Sequence, residues 1–143
     1  MIVDASLVID VVADPGSRGD AARVALAAVP AAERLLAPGH FAFEVMSGLG
    51  AAAHRPNHPL QLADLAAALQ AAAALEIVIE ATPWSDVQRA WTLAQGSLRY
   101  ADAIYVAAAE RHGTALLTAD SQIERSGALI RCEIITIQPA TER

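Results

Sequence analysis

A chain of 143 residues is long enough to bury a hydrophobic core, and we expect residues 1–143 to form one domain. All 10 of its Lys and Arg positions are arginines, which excludes a Walker A lysine and Schiff-base catalysis, and the net charge of −6 argues against a broad electrostatic surface for nucleic acid. The apolar run over residues 63–75 is too short to cross a membrane and no basic segment typical of a signal peptide opens the chain, so we expect a cytoplasmic protein with no membrane partner.

Strand and helix signals alternate along the chain, which predicts an α/β fold with a central parallel sheet and helices on both of its faces. Asp20 and Thr82 are predicted N-caps, and Gly113 is predicted to end a helix. In chain order the predicted elements are strand 1–3, helix 6–12, helix 21–29, strand 34–37, helix 40–53, helix 60–75, strand 76–80, helix 83–95, helix 102–112, strand 115–118, helix 121–126 and strand 133–137.

Four acidic residues lie beside these apolar elements. Asp4 and Asp120 each follow a predicted strand, Asp102 opens a predicted helix, and Glu44 lies about one turn into the helix after the second strand. Ligands of open parallel sheets bind beyond the carboxyl ends of the strands, so all four side chains can face one edge. Each close pair of carboxylates would cost on the order of 3 kcal/mol at an effective dielectric of about 20. Because Mg²⁺ or Mn²⁺ removes that cost, the pattern predicts metal-dependent phosphodiester chemistry.

Four segments of the chain resemble the motifs of PIN-domain ribonucleases, particularly the VapC-type toxins of bacterial toxin–antitoxin pairs. They are residues 1–8 (MIVDASLV), 38–45 (PGHFAFEV), 100–110 (YADAIYVAAAE) and 116–120 (LLTAD). The resemblance extends over nearly the whole chain, in the family's order and spacing. It implies a three-layer α/β/α fold with a parallel sheet of about four to five strands.

The resemblance also implies an endoribonuclease whose carboxylates bind Mg²⁺ or Mn²⁺. Asp4, Glu44, Asp102 and Asp120 match the family's acidic positions, and Ser6 and Thr118 match hydroxyl positions that orient a carboxylate or a water. We assign Asp4 and Asp102 as the main metal ligands; Glu44 either binds metal or positions the attacking water, and Asp120 lies in the first or the second shell. The implied partners are an RNA substrate, a cognate antitoxin and a second copy of the chain in a homodimer.

Several residues near these motifs have more than one interpretation. Taken alone, Asp102 could be a helix N-cap and Asp120 a turn residue. Arg99 could contact an RNA phosphate, although a surface arginine is the simpler interpretation. Trp84 and Trp91 are predicted to pack in the core, whereas Tyr100 could also stack on a base. The small residues at 47–53 could admit a partner or serve packing within the domain.

Other α/β proteins with acidic pockets fit the sequence less well. A phosphorelay receiver needs a lysine, and a phosphatase with an aspartyl nucleophile needs a second aspartate where this chain has Ser6. The remaining alternative is a PIN-fold module that binds a partner without cleaving RNA, against which the four retained carboxylates argue. The sequence leaves open whether the RNA is a tRNA, an rRNA or an mRNA, and whether one or two metal ions bind.

Overall fold

The strands of this protein are short and its helices carry most of the chain. A computed structural model describes residues 1–140, and the predicted domain's last three residues lie outside that range. The elements are β1 (Ile2–Val3), α1 (Ala5–Ala13), α2 (Ser17–Ala27), β2 (Leu36–Pro38), α3 (Phe41–Ala53), a 3₁₀ helix (Leu62–Asp64), α4 (Leu65–Ala73), β3 (Val78–Glu80), α5 (Trp84–Leu93), α6 (Tyr100–His112), β4 (Leu116–Thr118), α7 (Gln122–Arg125) and β5 (Ile134–Thr136).

The five strands form one parallel sheet in the order β3-β2-β1-β4-β5. Ile2 of β1 is in register with Leu36 of β2 on one side and with Leu116 of β4 on the other. Strands β2 and β3 therefore lie on one side of β1, and β4 and β5 lie on its other side. Such a reversal of strand order opens a crevice at the carboxyl ends of the two central strands.

Helices cover both faces of the sheet, which confirms the predicted three-layer α/β/α fold. On one side α1 packs against α2, α3 and α4, while α5 packs against α6, which in turn contacts β1 and β2. Both residues of β1 are fully buried, as are Val106 of α6 and Leu116 of β4. The apolar runs of β1 and β4 form the centre of the core because they are covered on both faces, whereas Val78 and Ile79 of the edge strand β3 are exposed.

Two predicted N-caps are wrong. The second helix begins at Ser17 after Gly16, which places Asp20 inside its first turn. Its start is set by contact with the end of α1, where Gly19 approaches the backbone of Asp14. Thr82 does not cap α5 either, because its hydroxyl accepts a hydrogen bond from the backbone N–H of Gly39, 3.2 Å away, and Pro83 takes the cap position.

Other boundaries differ by a few residues. The helix predicted over 60–75 begins with a 3₁₀ turn and ends at Ala73, and Glu76, with φ of 56°, delays the following strand to Val78. The predicted helix 102–112 starts at Tyr100. Gly113 ends it with φ of 62°, as predicted. Between residues 1 and 140, no helix is both long and apolar enough to cross a membrane.

Candidate active site

The four acidic residues singled out by the sequence line one open cavity of about 420 Å³. It lies where β1 and β4 end, at the crevice that the strand order creates. Asp4 follows β1, Asp120 follows β4, and the first turns of α3 and α6 supply Glu44 and Asp102. The structure thus brings together four carboxylates that are up to 116 residues apart in the chain.

Asp4 is held most firmly of the four. It is the N-cap of α1, and its Oδ1 accepts hydrogen bonds from the backbone N–H of Leu7 at 3.2 Å and from the hydroxyl of Ser6 at 2.7 Å. The hydroxyl of Thr118 donates to its other oxygen. The side chain is only 2% exposed, and burial raises its pKa to about 6 although these hydrogen bonds act in the opposite direction.

Ser6 and Thr118 connect the two strand ends through their hydroxyls. Each hydroxyl donates to Asp4 and accepts from a backbone N–H beyond β4: Ser6 from Ala119 at 3.1 Å, and Thr118 from Asp120 at 2.9 Å. Both functions of each hydroxyl are therefore used. The arrangement fixes the orientation of the Asp4 carboxylate and ties the β1–α1 turn to the β4–α7 turn.

Glu44 is oriented by two residues that sequence reasoning missed as part of the site. The phenol of Tyr105 donates to its Oε1 at 2.7 Å, and Nε2 of His40 lies 3.2 Å from the same oxygen. Burial would raise the pKa of Glu44, but the contacts with His40 and Tyr105 outweigh it and hold the pKa below its ordinary value. For His40 the signal in the sequence is its position four residues before Glu44, whereas no local spacing indicates that Tyr105 reaches Glu44.

Arg99 bridges the other two carboxylates. Its Nε donates to Oδ2 of Asp102 at 2.9 Å and its Nη2 to Oδ2 of Asp120 at 3.3 Å. Asp102 is 6% exposed, and burial raises its pKa even though the hydrogen bond and charge of Arg99 lower it. The simple surface interpretation of Arg99 is therefore incomplete, since the residue is exposed along its side chain but paired at its guanidinium.

The donor set fits a divalent cation in its chemistry. Hard carboxylate oxygens are the ligands that Mg²⁺ and Mn²⁺ prefer, and Asp102 is electrostatically coupled to Asp4, Glu44 and Asp120. Within residues 1–140, however, no three His, Cys, Asp or Glu side chains are grouped closely enough to hold a metal ion. Asp4 and Glu44 are turned toward hydroxyl donors, whereas Asp102 and Asp120 share Arg99 as their donor.

The aromatic residues around α5 are not in the core, contrary to the prediction for Trp84 and Trp91. Trp84 is 80% exposed and Trp91 60% exposed. The ring of Trp91 is stacked on that of Tyr100, with centroids 6.0 Å apart and planes inclined by 11°. Helix α5 packs on α6 through residues such as Ala90 and Leu93, which leaves the tryptophans on its outer side.

Comparison with known proteins agrees with this architecture. The family model of the PIN domain matches residues 1–129. Ribonuclease VapC3 of Mycobacterium tuberculosis (strain CDC 1551 / Oshkosh) is 33% identical over 126 residues, which cover 88% of this chain and 86% of that protein.

Two solved structures share the fold at lower identity. VapC20 of Mycobacterium tuberculosis, described as a Sarcin-Ricin loop cleaving toxin, has a TM-score of 0.67 at 18% identity and covers 90% of this chain and 95% of its own. A toxin–antitoxin complex from Klebsiella pneumoniae has a TM-score of 0.68 at 23% identity, with 97% and 98% covered. From the family match and the 33% identical relative, we conclude that the chain belongs to the PIN-domain family, among its VapC-type members.

Proposed function

We propose that this protein is an endoribonuclease dependent on Mg²⁺ or Mn²⁺ and acts as the toxin of a toxin–antitoxin pair. One observation carries the proposal: four carboxylates from four separate elements line one cavity at the carboxyl ends of β1 and β4. Grouping them costs the fold free energy that a bound cation would offset. The relative ribonuclease VapC3 supports RNA as the substrate class.

In the proposed mechanism Asp4 and Asp102 are the main metal ligands. Glu44 completes the site as a ligand or by positioning the attacking water, and Asp120 acts in the first or second shell. When bound, the cation supplies a lowered pKa for the attacking water and neutralises negative charge on the phosphate. The hydroxyls of Ser6 and Thr118 keep Asp4 in one orientation, and Tyr105 does the same for Glu44.

The surface next to the cavity supports RNA with an unpaired cleavage site. Tyr100 follows Arg99 in the chain and stacks on the exposed Trp91. Exposed aromatic rings are the groups on which the bases of single-stranded RNA stack. A few such contacts together with a bound cation suit a protein whose net charge is −6.

The proposed partners are a cognate antitoxin and a second copy of the chain in a homodimer. An antitoxin is supported by the similarity to the Klebsiella pneumoniae complex. It is also supported by the similarity to VapBC2 of Rickettsia felis, whose structure was solved bound to a DNA fragment from the promoter. That structure has a TM-score of 0.68 at 8% identity and covers 96% of this chain and 98% of its own. Acting on RNA under the control of such a partner, the protein would work in the cytoplasm.

The test is incubation of the purified, antitoxin-free protein with total RNA in Mn²⁺ or in EDTA. We expect discrete fragments with Mn²⁺ and none with EDTA, and at least a 100-fold loss of cleavage in Asp102→Asn because a ligand charge is removed. Asp20→Asn is the matched control, since Asp20 is an exposed carboxylate on α2 outside the cavity; it should cleave normally.

Two results would contradict the proposal. Full activity in Asp102→Asn would remove Asp102 from the machinery. No cleavage of total RNA in Mn²⁺ would refute the nuclease, and a melting temperature that Mn²⁺ does not raise would then favour the alternative of a PIN-fold module that binds without cleaving.

A further inference from the structure

We propose that Arg99 is the counter-cation of the metal-free site and that it competes with the divalent cation for Asp102 and Asp120. The inference rests on the proposed function only in requiring that these carboxylates bind metal. It assigns to this arginine a role distinct from a direct contact with the RNA. Arg99 is thus a positioning residue that holds these carboxylates in the absence of a divalent cation and sets their affinity for it.

The pairing of donors and acceptors in the cavity supports this role. Asp4 and Glu44 are satisfied by hydroxyl groups, with His40 beside Glu44, whereas Asp102 and Asp120 are satisfied by the guanidinium of Arg99. Among the cavity-lining residues of the described chain, Arg99 is the one arginine. It therefore provides the fixed positive charge at the place where a cation would be needed.

The two ends of these ion pairs differ in exposure. The side chain of Arg99 is 67% exposed, but that of Asp102 is 8% and that of Asp120 is 21% exposed. A buried carboxylate without a partner destabilises the fold more than the loss of an exposed ion pair does. Removal of the cation therefore affects Asp102 and Asp120 more than removal of the carboxylates affects Arg99. Since its stem lies at the surface, Arg99 can swing into solvent without opening the core.

The same oxygens cannot serve both cations at full strength. Arg99 occupies Oδ2 of Asp102 and Oδ2 of Asp120, so a metal ion that binds these oxygens must take them from the guanidinium.

The test compares Mn²⁺ binding by the wild type and Arg99→Gln in the full-length, antitoxin-free protein without RNA. By titration calorimetry we expect Arg99→Gln to bind Mn²⁺ about tenfold more tightly, because the competing charge-assisted hydrogen bonds are gone. In EDTA its melting temperature should be several degrees lower, and saturating Mn²⁺ should abolish that difference. A purely structural arginine would lower both melting temperatures and leave the affinity unchanged.

Arg18→Gln is the matched control. Arg18 is 59% exposed and pairs with the largely buried Asp10 at 3.1 Å, outside the cavity. Its loss should lower the melting temperature equally with and without Mn²⁺ and leave the affinity unchanged.

The competition model is overturned if Arg99→Gln binds Mn²⁺ no more tightly than the wild type, or if neither protein binds it. A protein that shows the predicted gain in affinity but cleaves no RNA would refute the proposed nuclease and leave the role of Arg99 standing.

Discussion

At the scale of one residue, Asp4 shows how burial in the site disfavours the charged form of a carboxyl group. Three donors hold the carboxylate, yet burial raises its pKa from 3.8 to about 6. The pKa of Asp4 is higher in the folded than in the unfolded protein. The protonated carboxyl group therefore contributes fully to folding stability below pH 4, and this contribution is lost as the pH rises through about 6. The metal-free protein therefore pays for an ionised Asp4 at neutral pH.

We expect Asp4→Asn to stabilise the metal-free protein at pH 8 but not at pH 4. The gain at pH 8 has an upper limit on the order of 3 kcal/mol. The measurement is the melting temperature of both proteins in EDTA between pH 4 and pH 8. A difference that does not change with pH would show that burial does not penalise the charge of Asp4.

The candidate ligands could be predicted from the sequence, but their partners could not. Acidic residues next to apolar segments identified Asp4, Glu44, Asp102 and Asp120, and the structure brings all four to one cavity. That Tyr105 of α6 reaches Glu44 of α3 depends on the tertiary fold, which no local pattern encodes. The pairing of Arg99 with Asp102 could be predicted, because Arg99 directly precedes α6 and lies three positions before Asp102.

At the scale of elements, the crossing of α1 and α2 depends on Gly19. A Cβ atom there would lie 1.8 Å from the backbone oxygen of Asp14 and 2.9 Å from that of Asp10. Since the obstacle is backbone, a rotamer change cannot relieve it. This contact explains why the local capping signal at Asp20 misplaced the start of α2: the packing of two helices overrides a single cap.

We expect Gly19→Ala to destabilise the protein by about 2 to 4 kcal/mol, because the helices must move apart. Gly50→Ala is the matched control: it is also a helical glycine, but nothing lies within 4 Å of its added Cβ, and it should gain about 0.5 to 1 kcal/mol from helix propensity. Urea denaturation of both variants measures the difference. Equal stabilities would mean that α2 can shift freely on α1.

Gly48 bears on the two interpretations of the small residues in α3. A Cβ atom at this position would lie 2.2 Å from Cδ1 of Ile9 in α1. The small side chain there serves close packing between α1 and α3, which is the simpler of the two interpretations that the sequence allowed. An added Cβ at Gly50 would meet no atom within 4 Å, so close packing does not explain the glycine at this position of α3.

For the whole molecule, the parallel α/β architecture could be predicted but the order of its strands could not. Alternating strand and helix signals give crossover connections and hence parallel strands. The strands are only two or three residues long and largely apolar, so each could pair with any other. Strand β4 pairs with β1 on the side opposite β2, and this position depends on how the helices pack on the two faces of the sheet.

The last strand extends the sheet past the matched family region, which ends at residue 129. In β5, Ile134 and Ile135 are in register with Leu116 and Leu117 of β4. The N–H of Ile137 donates to the carbonyl of Thr118 at 2.8 Å, next to the hydroxyl that holds Asp4. Edge strand and cavity are thus connected through one residue.

We expect a chain ending at residue 129 to lose about 4 kcal/mol of stability, because it forfeits the partly buried isoleucines of β5 and exposes the edge of β4. A chain ending at Ala140 keeps β5 and is the control; it should be more stable than the chain ending at residue 129. Calorimetry of all three also tests whether residues 1–143 form one domain, which predicts a single cooperative transition. If the chain ending at residue 129 had the same melting temperature as the full chain, β5 would not contribute to stability. Thr118 would then hold Asp4 in place without the hydrogen bonds of β5.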